Sequence, residues 1–132
     1  MRLTEEQYQK LINAKQPKPS KYRNKKVTYD GITFDSAKEA NYYLKFSLMQ
    51  EAGIIKDLEL QKKFILQPSF KLNGQTIRSI NYYADFVYYD NKKCKTVVVD
   101  VKSKATKKDK VYILKKKMFL NKYRDLEFKE ID

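Results

Sequence analysis

The spacing of apolar and polar positions changes several times along this chain, and each change marks a predicted element. Thr4-Glu5-Glu6-Gln7 has the form of a capping box and predicts a short helix to about Ala14. Residues 15–26 are rich in Lys and Pro without an apolar period, and read as a basic arm. Val27-Thr28-Tyr29 and Ile32-Thr33-Phe34 flank Asp30-Gly31, a dipeptide suited to the positive φ angles of a two-residue hairpin turn. A helix is predicted from Ser36 to Ala52, with Ala40, Tyr43, Leu44, Ser47 and Leu48 inward and Gly53 as its stop.

Short strands are predicted at 55–60 and 64–72, with a turn at Asn73-Gly74 and a further strand at 80–89. The Val97-Val98-Val99 run within 96–102 has no alternation, which predicts a central strand covered on both faces. A basic loop at 104–109 leads to a helix at 110–123, with Val111, Leu114 and Met118 as its inward stripe. A strand at 126–131 closes the chain. The expected fold class is α+β (mixed α/β) with one central mixed sheet. Residues 1–25 are expected to form a short N-terminal helix and a basic arm, and 26–132 the domain.

Composition narrows the chemistry. The 132 residues suit about one domain, and the formal net charge of +13 points to a polyanionic partner such as DNA, because cations on phosphate release condensed counterions. No apolar run suggests a membrane span or a signal peptide. With one cysteine, Cys94, there is no intrachain disulfide, and the cytoplasm is the expected compartment. The absence of His excludes Ser-His-Asp triads and His-based zinc sites. What remains is carboxylate, Lys and Tyr chemistry with a hard cation such as Mg²⁺ or Mn²⁺.

Three acids and a lysine stand out. Asp100 and Lys102 are two apart at the end of the apolar strand and project from one face. A surface ion pair is the plainer reading of that pattern. Asp85 lies within Tyr82-Tyr83-Ala84-Asp85-Phe86, where burial would require a partner or a metal. A solvent-facing Asp is the alternative, with Asn81, Tyr83 and Asp85 on one face. Glu39 completes the capping box Ser36-Ala37-Lys38-Glu39, and capping alone would account for it. Lys115 falls on the apolar stripe of the last helix and either binds phosphate or snorkels to water. Lys104, Lys107, Lys108 and Lys110 are expected to form a phosphate-contacting patch.

Glu39 on a helix, Asp85 on a strand and Asp100-Val101-Lys102 on the next strand together resemble the PD-(D/E)XK nuclease superfamily. More closely, Phe34-Asp35-Ser36 through Glu39, Tyr83-Ala84-Asp85-Phe86 and Val99-Asp100-Val101-Lys102 are similar to a bacteriophage family of uncharacterised proteins related to Holliday-junction resolvases. Ala84 stands where the superfamily has Pro. The resemblance implies a restriction-endonuclease-like αβββαβ core. It implies that Asp85 and Asp100 bind the metal, with Glu39 a further ligand or an orienter of the attacking water. Lys102 would stabilise phosphoryl charge or position the water, and Gln61 would line the site. It also implies a bacterial host cell as the location, if the chain is phage-encoded.

The expected function is therefore metal-dependent endonucleolytic cleavage of DNA, extending to a structure-specific resolvase of branched DNA. A homodimer is expected if the substrate is a symmetric four-way junction. The alternatives are a non-catalytic nucleic-acid-binding protein that keeps the nuclease fold, and a structural or ribosome-associated basic protein.

Overall fold

The computed structural model describes Thr4, Gln7 and residues 26–132, apart from the Lys104 side chain. Residues 15–25 of the predicted arm and most of the N-terminal helix lie outside the described residues. The capping box itself is formed. The Thr4 N–H donates to Gln7 Oε1 and the Gln7 N–H to Thr4 Oγ1, each at 3.1 Å.

The chain divides after Leu58 into two compact units. In the first, β1 (Val27–Tyr29) and β2 (Ile32–Phe34) pair antiparallel with Val27 opposite Phe34. Asp30 and Gly31 take φ of 58° and 77°, as the Asp-Gly signal predicts. Helix α1 (Ala37–Glu51) starts at Ser36, whose hydroxyl accepts the Glu39 N–H at 3.1 Å. It ends in a Schellman motif. Gly53 at φ 79° donates to Gln50 O, and Ile54 donates to Met49 O. Ala40, Tyr43 and Leu44 are buried as predicted, and Phe46 joins them. The Tyr43 ring packs 5.2 Å from that of Phe34, and its hydroxyl donates to Asp30 Oδ2 at 3.2 Å.

Strand β3 (Ile55–Gln67) crosses into the second unit as one continuous strand, where the sequence predicts two. The hairpin β4 (Phe70–Leu72) and β5 (Gln75–Ile77) follows, then β6 (Ile80–Asp90) and β7 (Lys95–Val101). The predicted basic loop contains a short helix, α2 (Lys104–Lys107). Helix α3 (Lys110–Lys122) and β8 (Glu127–Ile131) complete the chain. The central sheet has the order β3-β6-β7-β8. β6 and β7 are antiparallel, β7 and β8 parallel, so the sheet is mixed and the class is α+β. Val97, Val98 and Val99 are fully buried because β7 is an inner strand.

The core of the second unit unites Phe64, Leu66, Tyr82, Ala84, Val87, Val98, Tyr112 and Phe119. The inward face of α3 differs in part from the predicted one, since Met118 packs against the core as predicted. Tyr112 and Phe119 are buried, while Val111 and Leu114 are 59% and 60% exposed. Aliphatic periodicity alone misplaces this helix, because its aromatic residues remove more area from water and set its rotation. Among the described residues no helix is long and apolar enough to cross a membrane.

Candidate functional site

Tyr82, Ala84 and Val87 all belong to the same core cluster, although strict alternation would turn Val87 away from Ala84. The period of β6 therefore slips between Ala84 and Val87, and Asp85 sits in the slip. The β6–β7 register runs from Asp90↔Lys95 to Phe86↔Val99. Beyond it, Asp85 Oδ2 accepts the Val101 N–H at 2.7 Å. A side-chain carboxylate thus receives a main-chain N–H that a regular ladder would give to a carbonyl. This is neither the solvent-facing Asp of the plainer reading nor a member of a simple Asn81-Tyr83-Asp85 face. Its other oxygen accepts from Gln61 Nε2 at 3.0 Å. Gln61 makes that reach from φ 49°, a left-handed conformation within a strand that costs a non-glycine residue about 1–3 kcal/mol.

Asp100 is wholly buried. The Tyr82 hydroxyl donates to its Oδ2. Lys102 Nζ lies 2.9 Å from Oδ1. The angle of that approach is not that of a hydrogen bond, so Oδ1 has a nearby positive charge but no aligned donor. The contact is an ion pair, short in distance and poorly directed for a hydrogen bond. Burial pushes the Asp100 carboxyl up. The Tyr82 hydrogen bond pulls against burial, the Asp85 charge adds to it, Lys102 opposes both, and the result is about 6. A buried carboxylate raised by a second carboxylate is the environment a cation relieves.

Lys102 is held from below as well. Its ammonium lies 4.9 Å from the centre of the Tyr112 ring. The Tyr112 hydroxyl donates to Glu130 Oε2, and Lys116 Nζ donates to the same oxygen at 3.1 Å. Both tyrosine hydroxyls are held far above their ordinary range. Burial is the main cause, joined by Asp100 for Tyr82 and by the Glu130 hydrogen bond for Tyr112. Burial pushes Glu130 up, but its bonds from Tyr112 and Lys116 outweigh this and hold it below the usual range.

The second unit therefore brings together four sequence-predicted residues, Asp85, Asp100, Lys102 and Gln61. Glu39 lies in the first unit, on the first turn of α1, where it is 7% exposed and its N–H is capped by Ser36. Among the predicted phosphate contacts, Lys108 and Lys110 are exposed and Lys115 is half-buried. Lys104 opens α2. Lys107 is ion-paired with Asp132 and lies 3.6 Å from Glu130 Oε1, which raises its affinity for its proton. The sequence reading missed Tyr82, Tyr112, Lys116 and Glu130. Tyr82 is three residues before Asp85, and no signal in the sequence announces the slip that points its hydroxyl at Asp100.

Asp85 and Asp100 are hard oxygen donors suited to Mg²⁺, and Asp100 Oδ1 is buried without an aligned donor, so the pair fits a divalent cation. Among the described residues no three acidic, His or Cys side chains gather as a ready metal cage. Mg²⁺ is commonly held by one or two carboxylates, with water and substrate phosphate completing its shell.

Residues 19–131 match the model of a family described as a protein of unknown function, DUF1064. No curated protein matches the chain. No solved structure matches it either.

Proposed function

The chain belongs to the DUF1064 family, and we propose that it is a metal-dependent DNA endonuclease whose active site is built on Asp85, Asp100 and Lys102. The observation that carries this reading is Asp100. It is an ionisable side chain with no exposure, one oxygen held by Tyr82, the other beside an ammonium and without an aligned donor. Such a group is costly to keep in a purely structural role, because a buried charge needs full compensation.

Asp85 and Asp100 would hold Mg²⁺ or Mn²⁺. The cation, when bound, supplies Lewis-acid polarisation of the phosphoryl group and neutralises its developing charge. Tyr82 keeps Asp100 Oδ2 occupied and so presents Oδ1. Val101 N–H and Gln61 fix both oxygens of Asp85. Lys102, steadied on the Tyr112 ring, places a positive charge where the phosphoryl group gains negative charge.

The order α1, β3, β6, β7, α3, β8 agrees with that of a restriction-endonuclease-like αβββαβ core, and the mixed sheet suits it. The net charge of +13 and the exposed Lys108 and Lys110 favour DNA as the partner. A structure-specific resolvase acting as a homodimer is the finer form of the same reading.

One observation favours a second reading, a nucleic-acid-binding protein without catalysis. The Lys102–Asp100 pair already supplies Asp100 with a counter-charge, and no third acid stands with it among the described residues. Single-turnover cleavage of linear, flapped and four-way DNA separates the two. The enzyme cuts at least one of them with Mg²⁺ and none with EDTA, and loses cutting in Asp85→Asn while DNA binding in Ca²⁺ persists. Absence of cleavage by the wild-type protein with both Mg²⁺ and Mn²⁺ establishes the binding protein. Glu39→Gln reports on the third acid. A loss matching that of Asp85→Asn assigns it to the site, and wild-type activity leaves it a buried residue of α1.

A further inference from the structure

The β4–β5 hairpin presents an apolar face that the described protein leaves uncovered. Phe70 pairs with Ile77 and Leu72 with Gln75, which puts these four on one face, while Lys71 and Thr76 take the other. Every residue of both strands is exposed, with Phe70 at 45% and Leu72 at 57%. Asn73 and Gly74 make the tight turn with φ of 52° and 78°. An isolated two-stranded hairpin is marginal in water. Ile80 and Tyr83 on the following strand are exposed too.

The charge around this face decides what covers it. Between Glu59 and Asp85 the chain carries Lys62, Lys63, Lys71 and Arg78, and no acidic residue. Lys62 is paired with Glu59 at 2.8 Å. Lys63, Lys71 and Arg78 are exposed. A second copy of a chain with net charge +13 would bring like charge to like charge, whereas nucleic acid brings phosphate.

We propose that this hairpin is a DNA-contacting ribbon that recognises unstacked bases at a branch or distorted step. Its Phe70–Leu72–Ile77 face packs on the bases, and Arg78, next to Ile77 in sequence, neutralises a flanking phosphate. The proposal rests on the reading that the chain acts on DNA, and adds the surface that contacts it. A continuous duplex keeps its base faces stacked and offers this surface little, while a branch exposes them. Ile80, which opens β6 three residues after the ribbon, lies five residues from Asp85, about 16 Å at ~3.3 Å per residue. That corresponds to about five nucleotides at ~3.4 Å each along one strand. The reactive phosphate would lie several nucleotides from the branch.

The test uses the full chain in Ca²⁺ with two DNAs, a four-way junction carrying 2-aminopurine at its branch and a linear duplex of the same sequence. The wild-type protein should prefer the junction and raise the 2-aminopurine fluorescence. The double variant Phe70→Ala, Leu72→Ala should bind the junction about tenfold or more weakly and leave the fluorescence unchanged, with duplex affinity unaltered. Phe70→Trp should retain both signals. Both side chains are exposed, so circular dichroism should match the wild type. Equal weakening on both DNAs, or none, overturns the ribbon. So does a loss that follows dissociation of a dimer in sedimentation, which assigns the face to contact between copies. Cleavage in Mg²⁺ is scored separately. A wild-type protein that binds junctions as predicted but cuts nothing removes the nuclease and leaves the ribbon. One that cuts DNA while the double variant behaves identically removes the ribbon alone. One that binds neither DNA removes both.

Discussion

Replacing Asp100 by Asn should stabilise the metal-free protein at neutral pH, by an amount that vanishes in acid. The Asp100 carboxyl is raised from 3.8 to about 6 by burial and by Asp85, after Tyr82 and Lys102 have opposed them. An acid whose folded pKa is raised favours the folded state when protonated. Its contribution is therefore complete below its unfolded value near 4 and is lost as pH rises through about 6. The difference is about two pH units, or about 3 kcal/mol at ~1.36 kcal/mol per unit. The ion pair with Lys102 is already contained in that figure, since Lys102 is one of the groups opposing burial. Urea denaturation of wild type and Asp100→Asn in EDTA, from pH 4 to pH 8, should show the variant gaining on the wild type between pH 4 and 6 and holding a constant advantage above. Mg²⁺ should then reverse the order. A ligand at ~1,000 times its Kd stabilises the wild type by about 4.1 kcal/mol, more than the gap, and the variant should gain almost nothing. A gap that is independent of pH, or an equal response of both proteins to Mg²⁺, would refute the electrostatic account of this site.

Lys102→Ala removes the only counter-charge the described structure places against Asp100 Oδ1. Urea denaturation should show it losing about 1–3 kcal/mol above pH 6 and little near pH 4, and single-turnover cleavage should slow while calorimetric Mg²⁺ binding remains. Tyr82→Phe frees Asp100 Oδ2 and should weaken Mg²⁺ binding about 10- to 100-fold by calorimetry, and an unchanged affinity would mean that the hydroxyl does not orient the ligand. Gln61→Gly relieves the left-handed backbone while removing the donor to Asp85, so thermal stability should hold within about 1 kcal/mol as cleavage falls; a larger loss of stability would argue against stored strain. DNA affinity should fall steeply with salt. Lys108→Ala should flatten that slope by about one unit, and Lys107→Ala by less, since Lys107 is engaged by Asp132 and Glu130.

Much of the local structure was legible from residue order. The hairpin turns at Asp30-Gly31 and Asn73-Gly74, the Ser36 cap, the Gly53 stop and the buried valines of β7 are properties of a few adjacent residues, and each formed as read. The rotation of α3 was not legible, because Val111 and Leu114 have the spacing of a core stripe, and only the packing of Phe119 against Phe64 and Tyr82 shows which face wins.

For the candidate site, residue identity alone sets the chemistry available: acids and lysines, no histidine, and an Asp and a Lys two apart at the end of an apolar strand. Only the tertiary structure decided how those groups meet. Alternation along β6 would turn Tyr82 and Asp85 to opposite faces, and a one-residue slip sends the Tyr82 hydroxyl to Asp100 and the Asp85 carboxylate to the Val101 N–H. The support of Lys102 by Tyr112, and of Tyr112 by Glu130 and Lys116, joins α3 to the strands on either side of it in sequence. Such contacts depend on register and burial between distant segments. Those are set by the packing of the whole core and leave no local periodicity to read.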